Sequence, residues 1–185
     1  MSATVLGPLG YDVVGCPALS GSGPARLATG GYSSKDGVYF ATVWDAASGE
    51  EHFQLANGPR AIRTLACSPD GQIYAGGGDE GVLRFWNAQS GNLVLALPSM
   101  GGRIRSVAFS PDGQRVAAAW LHTCRIWDPE SGEELQELTG EQFVWSVAFS
   151  PDGTTIALAE GTLAKYPGQV RLWQVASGQA IRTLH

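Results

Sequence analysis

Apolar residues in this chain come in short runs, each closed by a cluster of Gly, Pro, Asp, Asn or Ser. The run from Ile62 to Cys67 is followed by Pro69-Asp70-Gly71, then Gln72 to Gly76, then Asp79-Glu80-Gly81. Val82 to Trp86 comes next, then Ser90-Gly91, then Asn92 to Leu97. Within the runs, apolar positions either alternate with polar ones or are continuous, the pattern of strands buried on one face or both. No window carries the 3.6-residue period of an amphipathic helix. The punctuation has its own chemistry: Pro presets φ at a corner, and Asp and Gly tolerate the bridge and left-handed conformations that follow. The pattern predicts many short antiparallel strands and essentially no helix.

The same pattern returns along the chain. Ser68-Pro69-Asp70-Gly71 recurs as Ser110-Pro111-Asp112-Gly113 and as Ser150-Pro151-Asp152-Gly153, at steps of 42 and 40 residues. A tryptophan closing an apolar run recurs at Trp44, Trp86, Trp127 and Trp173, at steps of 42, 41 and 46. Five residues after each stands a glycine: Gly49, Gly91, Gly132 and Gly178. The expectation is a single array over 1–185, with four copies of four strands at about 10–55, 56–97, 98–138 and 139–185. A period of this length marks a stacked or radial repeat architecture.

The series V-x-S-V-A-F-S-P-D-G, a strand, L-R-F-W or R-I-W-D, then S-G resembles the WD40 repeat, most fully over Arg103 to Gly113 and Val144 to Gly153. The resemblance runs from about Val13 onward. It implies an all-β fold of propeller blades, four four-stranded antiparallel sheets set radially, with each innermost strand lining a channel. The chain also departs from the family. Asn57-Gly58-Pro59, Met100-Gly101-Gly102 and Gly140-Glu141-Gln142 stand where a Gly-His pair usually precedes the innermost strand. The family's Asp in the hairpin before the tryptophan survives as Asp79, while Trp120 and Tyr166 take the equivalent offset in copies three and four. Copy one has Gly37 there, beside Asp36. The family's buried Asp-His-Ser-Trp network is therefore expected to be missing and the blades to hold by packing, because a half-made buried polar network costs more than an apolar one.

Composition narrows the function. Lys plus Arg number 12 against 17 Asp plus Glu, a net charge of -5, with no block of like charge. That balance argues against a nucleic-acid or membrane-surface partner. No stretch approaches the roughly 18 apolar residues of a membrane span, and the first 20 residues lack the Lys or Arg of a signal-peptide n-region. Cys16, Cys67 and Cys124 are as scattered as His52, His122 and His185, so no metal-ligand spacing appears. An odd cysteine count without a secretory signal suits a reducing compartment, the cytoplasm. By alignment between copies, Cys67 and Cys124 are core residues. His52 reads as a solvated edge residue, and His122, beside Trp120, as part of a surface aromatic hairpin or a binding position. Gly76-Gly77-Gly78 has no helix behind it to cradle a phosphate. Neither catalysis nor a cofactor is expected.

Binding is argued from loops. From the turn serine to the tryptophan is 18, 17 and 23 residues in copies two to four, and 24 in copy one if Ser20 is its counterpart. The extra length is Tyr32-Ser33-Ser34-Lys35-Asp36 and Leu163-Ala164-Lys165-Tyr166-Pro167, which hold the chain's two lysines. In the family, as the resemblance implies, this hairpin and the loop leading into the innermost strand share the top face. Arg63, Arg105 and Trp145 align at that loop end, with Arg60 and Arg103 just upstream. Arg, Trp and Tyr on one face form the composition of a protein-binding hot spot; the ordinary alternative is solvated strand ends. Tyr32, Lys35, Arg60, Arg63, Arg103, Arg105, Trp120, Trp145, Lys165 and Tyr166 are the candidate residues. The leading expectation is a non-enzymatic scaffold for a protein or peptide. A ligand receptor or enzyme at the channel mouth, and a fragment of a longer multidomain repeat protein, remain as alternatives. Four blades leave two sheet faces bare, so a head-to-tail homodimer forming an eight-bladed ring, or further blades from a longer chain, is expected.

Overall fold

The computed structural model describes residues 18–19, 26–33, 38–55, 60–162 and 168–185, and every regular element among them is a β-strand. The first sheet holds β1 (Ala18–Leu19), β2 (Arg26–Ser33), β3 (Val38–Asp45) and β4 (Glu51–Leu55). The second holds β5 (Ile62–Cys67), β6 (Ile73–Gly78), β7 (Arg84–Asn87) and β8 (Leu93–Ala96). The third holds β9 (Ile104–Phe109), β10 (Val116–Trp120), β11 (Thr123–Trp127) and β12 (Glu134–Thr139). The fourth holds β13 (Phe143–Phe149), β14 (Thr155–Gly161), β15 (Gln169–Gln174) and β16 (Gln179–Leu184). Each sheet is antiparallel in chain order. The second sheet follows the predicted pattern, with β6 and β7 displaced by one or two residues from the apolar runs. The first strands β1, β5, β9 and β13 lie beside one another in succession, so they form the inner row of the array.

Turn chemistry explains the sequence punctuation. Ser68 Oγ donates to Asp70 Oδ1 at 2.5 Å and accepts the Ile73 N–H at 2.9 Å, while Asp70 Oδ1 accepts the Gln72 N–H at 3.0 Å. Gly71 closes the turn at φ 74°, a left-handed conformation that favours glycine. The same bonds recur at Ser110–Asp112 and Ser150–Asp152. In the second turn Asp45 accepts the N–H groups of Ala47 and Ser48, and Asp128 those of Glu130 and Ser131. Asn87 does the same for Gln89 and Ser90, because this turn needs only a side-chain oxygen acceptor, not a charge.

The core is three layers between successive sheets. Ala28, Ala41, Val43 and Leu55 of the first sheet meet Ile62, Leu65, Tyr74 and Trp86 of the second. Leu83, Phe85 and Leu97 meet Ile104, Val107, Val116 and Trp127. Cys124, Ile126 and Leu138 meet Val144, Val147, Ile156, Leu158 and Trp173. Each large aliphatic or aromatic side chain so buried contributes roughly 1.5–3 kcal/mol. Hydrogen bonds also join neighbouring sheets: Thr64 Oγ1 accepts the Val107 N–H at 3.1 Å, Ser106 Oγ accepts the Val147 N–H at 3.2 Å, the Val144 N–H donates to the Leu121 carbonyl at 2.7 Å, and Arg26 Nη1 donates to the Ala88 carbonyl at 2.7 Å.

The array's two end faces differ from its interior. Ala117, Ala119, Cys124, Ile126 and Leu138 are buried beneath the fourth sheet. Their register counterparts in the fourth sheet, Ala157, Ala159, Val170 and Leu172, are half-buried, and Leu184 is exposed. At the other end Trp44 is half-buried, whereas Trp86, Trp127 and Trp173 are buried. Among the described residues no sheet covers either face.

The expectation that blades hold by packing alone is corrected in the fourth sheet. The Glu160 side chain is fully buried there; its Oε2 accepts from Gln169 Nε2 at 2.9 Å and from the Glu141 N–H at 3.2 Å. Arg171 lies 3.7 Å from Glu160 Oε1 and 2.7 Å from Glu141 Oε1. Trp44 also keeps a side-chain partner: its Nε1 donates to Thr29 Oγ1 at 2.8 Å.

Candidate interaction face

Arg63, Arg105 and Trp145 share a backbone feature as well as an alignment. Ile62 pairs with Gly78 and Thr64 with Gly77, which leaves Arg63 as the extra residue of a β-bulge. Ile104 pairs with Trp120 and Ser106 with Ala119, leaving Arg105. Val144 pairs with Glu160 and Ser146 with Ala159, leaving Trp145. A bulge bends its strand and re-aims the unpaired side chain. Three successive inner strands thus turn one side chain each out of the ladder, at the end opposite the Ser-Pro-Asp-Gly turns.

Two clusters form at this end. Arg63 donates through Nη2 to Asp79 Oδ2 at 2.9 Å and through Nε to Asp79 Oδ1 at 3.2 Å. Arg103 Nε reaches the same carboxylate at 2.6 Å, although its side chain stays 53% exposed. Hydrogen bonding from Arg63 holds the Asp79 carboxyl below the usual carboxylate range, and the charges of Arg103 and Arg60 add to the effect. Asp79 in turn raises the Arg63 guanidinium. In the second cluster the Arg105 guanidinium carbon lies 4.1 Å from the centre of the Trp145 ring and 5.8 Å from that of Phe143, a cation–π arrangement. His122 stacks on the other ring partner, Phe143, at 4.4 Å. Trp145 Nε1 donates to the Gly161 carbonyl at 3.1 Å, which fixes the indole while leaving the residue 38% exposed.

Arg60, Arg63, Arg103, Arg105 and Trp145 therefore lie at one end of the array. Trp120 does not join them. It is 5% exposed and packs in the core beside Trp127. Counting back from the tryptophan matched Trp120 to Asp79, but the register pairs Trp120 with Ile104 as Gly78 is paired with Ile62. The hairpin between β10 and β11 is shorter than that between β6 and β7, which shifts the count by one. Tyr32 falls in β2, but its side chain, with Lys35, Lys165 and Tyr166, lies outside the described residues. Phe143 and the Asp79 clasp were not anticipated. The signal for the clasp was present: arginines stand near where the family has histidine.

At the opposite end a groove of 820 Å³ is lined by Asp70, Asp112, Asp128 and Glu130 with Val94 and Leu135. Its three aspartates already accept the hydrogen bonds of the repeat turns. Among the described residues no group of His, Cys, Asp or Glu is arranged to hold a metal ion. Cys124 is buried and Cys67 half-buried, as their core alignment required, and burial pushes the Cys67 thiol up to about 11.

The family model described as WD domain, G-beta repeat matches residues 51–87, 91–128 and 132–174, more than half of the chain. The chain belongs to the WD40-repeat family. WD40 repeats commonly serve as protein-interaction scaffolds. No curated protein matches the chain. Each WD40 match begins at or just before an outermost strand and closes at the third strand of the next sheet, so the sequence unit straddles two blades. The first sheet contributes only β4 to a match; its own strand arrangement is that of a fourth repeat.

Proposed function

We propose that this WD40 array is a non-enzymatic scaffold that binds a protein or peptide across the end carrying Arg63, Arg105 and Trp145. The observation supporting this reading is the triple bulge: three inner strands interrupt their ladders at the same level and project Arg, Arg and Trp. Trp and Arg are the side chains over-represented at interface hot spots, and a central Trp contributes ~2 kcal/mol or more. Panning displayed random peptides on the immobilised chain supplies binders. The triple variant Arg63→Ala, Arg105→Ala, Trp145→Ala should then bind those peptides at least tenfold more weakly, with Tm unchanged to within a few degrees. Full binding by that variant would overturn the assignment.

A second reading concerns assembly. The half-buried Trp44 at one end and Ala157, Ala159, Leu172 and Leu184 at the other are the positions that successive sheets bury against each other elsewhere. They favour a head-to-tail pair, with the fourth blade of one copy against the first blade of its partner. Further blades on a longer chain would cover the same faces. Sedimentation at several concentrations tests the pair, and a concentration-independent mass of 19.5 kDa would exclude it. Unpaired Cys67 and Cys124 suit a reducing, cytoplasmic setting.

A further inference from the structure

The chain is acidic overall, yet the proposed binding end carries a local excess of positive charge. Arg60, Arg63 and Arg103 gather there around one engaged carboxylate, Asp79, and Arg105 lies at the same end on the Trp145 and Phe143 rings. Elsewhere four arginines face carboxylates of their own: Arg84 with Glu80, Arg115 with Asp112, Arg125 with Glu134 and Glu137, Arg171 with Glu141 and Glu160. The two other acids closest in sequence to these loops, Glu80 and Glu141, are thus already paired.

The donor inventory separates the four. Arg63 directs both Nε and Nη2 at Asp79. Arg103 contacts it through Nε and remains largely exposed, so its outer N–H groups face solvent. Arg105 forms no ion pair among the described residues, and its Nε is buried without a hydrogen-bond partner. Arg60 is exposed and likewise forms no ion pair among them. A guanidinium offers planar paired donors that match a carboxylate, and stacking on Trp145 holds the Arg105 plane in place before any ligand arrives.

We infer that the partner is an acidic peptide segment, with Asp or Glu side chains on Arg103 and Arg105 and an adjoining apolar or aromatic residue on Trp145 and Phe143. This inference rests on the proposed function and names the chemistry of its ligand. Charge complementarity carries it: the cationic excess sits beside the exposed Trp145 ring. Among the described residues Arg105 has no ion-pair partner, so an incoming carboxylate would meet a guanidinium not already engaged by one.

The test reads the composition of the peptides selected on the full chain. The pool should be enriched in Asp and Glu next to an aromatic or large aliphatic residue. For a selected peptide followed by fluorescence anisotropy, replacing its acids by the corresponding amides should weaken binding about tenfold or more. Raising salt from about 50 mM to about 0.5 M should weaken it too. Arg103→Ala and Arg105→Ala should each reproduce the loss, and Arg115→Ala, at the far end, should not. Arg105→Lys should recover only part of the affinity, because an ammonium keeps the charge without the stacked fork. A selected pool that is neutral or basic, yet lost in the triple variant, would overturn the acidic inference alone. Binders indifferent to the triple variant would overturn the binding face itself.

Discussion

Replacing Thr64 by Val probes how one blade is joined to the next. Thr64 is 4% exposed and Val107 7%, and the threonine hydroxyl is the acceptor for the Val107 N–H across the sheet boundary. Valine keeps the shape and the methyl group but offers no acceptor, so a backbone donor is left unsatisfied where water does not reach. Stranding such a group costs about 1–3 kcal/mol. With a urea slope of about 1–3 kcal/mol per molar for a domain of this size, the unfolding midpoint should fall by roughly 1 M. Thr64→Ser is the control. It retains the acceptor and loses one buried methyl, about 0.8 kcal/mol. Urea titration followed by tryptophan fluorescence reads both variants, and a parallel circular-dichroism curve checks that the array unfolds as a unit. If Thr64→Val matches the parent to within a few tenths of a kcal/mol, or if Thr64→Ser falls as far, the bond does not join the blades as argued.

Two further outcomes are expected. Arg171→Met should destabilise by about 3–5 kcal/mol because it leaves the Glu160 carboxylate buried without its cation, and adding Glu160→Gln should restore much of that; strictly additive losses in the cycle would refute the coupling. Stability should also fall in acid: Ser68 and Ser110 hold Asp70 and Asp112 below the usual carboxylate range, and Arg63 does so for Asp79. A depressed folded-state value means the unfolded chain binds more protons, so the stabilisation is complete above the ordinary Asp value of about 3.9 and drains away as pH falls below it. Urea midpoints that are equal at about pH 6 and pH 3 would contradict this, and Asp79→Asn should make the slope shallower.

Much of the fold was legible because turn residues and core residues repeat together. Ser-Pro-Asp-Gly marked the same hairpin three times, and four tryptophans marked the third strand of each sheet. Alignment of those copies also brought out Arg63, Arg105 and Trp145. What alignment could not reveal is why that position is special, because a bulge is a property of the pairing with the neighbouring strand. Trp120 was misplaced for a related reason: residue counting assumes equal hairpins, whereas the register measures them. Glu160 had a signal that went unread. It continues the alternation of Ile156 and Leu158 along β14, so its side chain had to enter the same buried layer. The Arg105–Phe143 contact joins two sheets and depends on their packing, which no local pattern specifies.

The straddling of sheets by each sequence unit bears on how such a gene can change. One unit supplies the outer strand of one sheet and the three inner strands of the next. Loss of the segment 91–128 in a single recombination event would bring β12 to the place of β8 beside β7, and the sheet begun by β5 would again have four strands. Duplication of the same segment would likewise add one whole blade. Neither event exposes an unpaired strand edge, the feature that invites aggregation in β proteins. Arrays built this way can lengthen or shorten through intermediates that already fold.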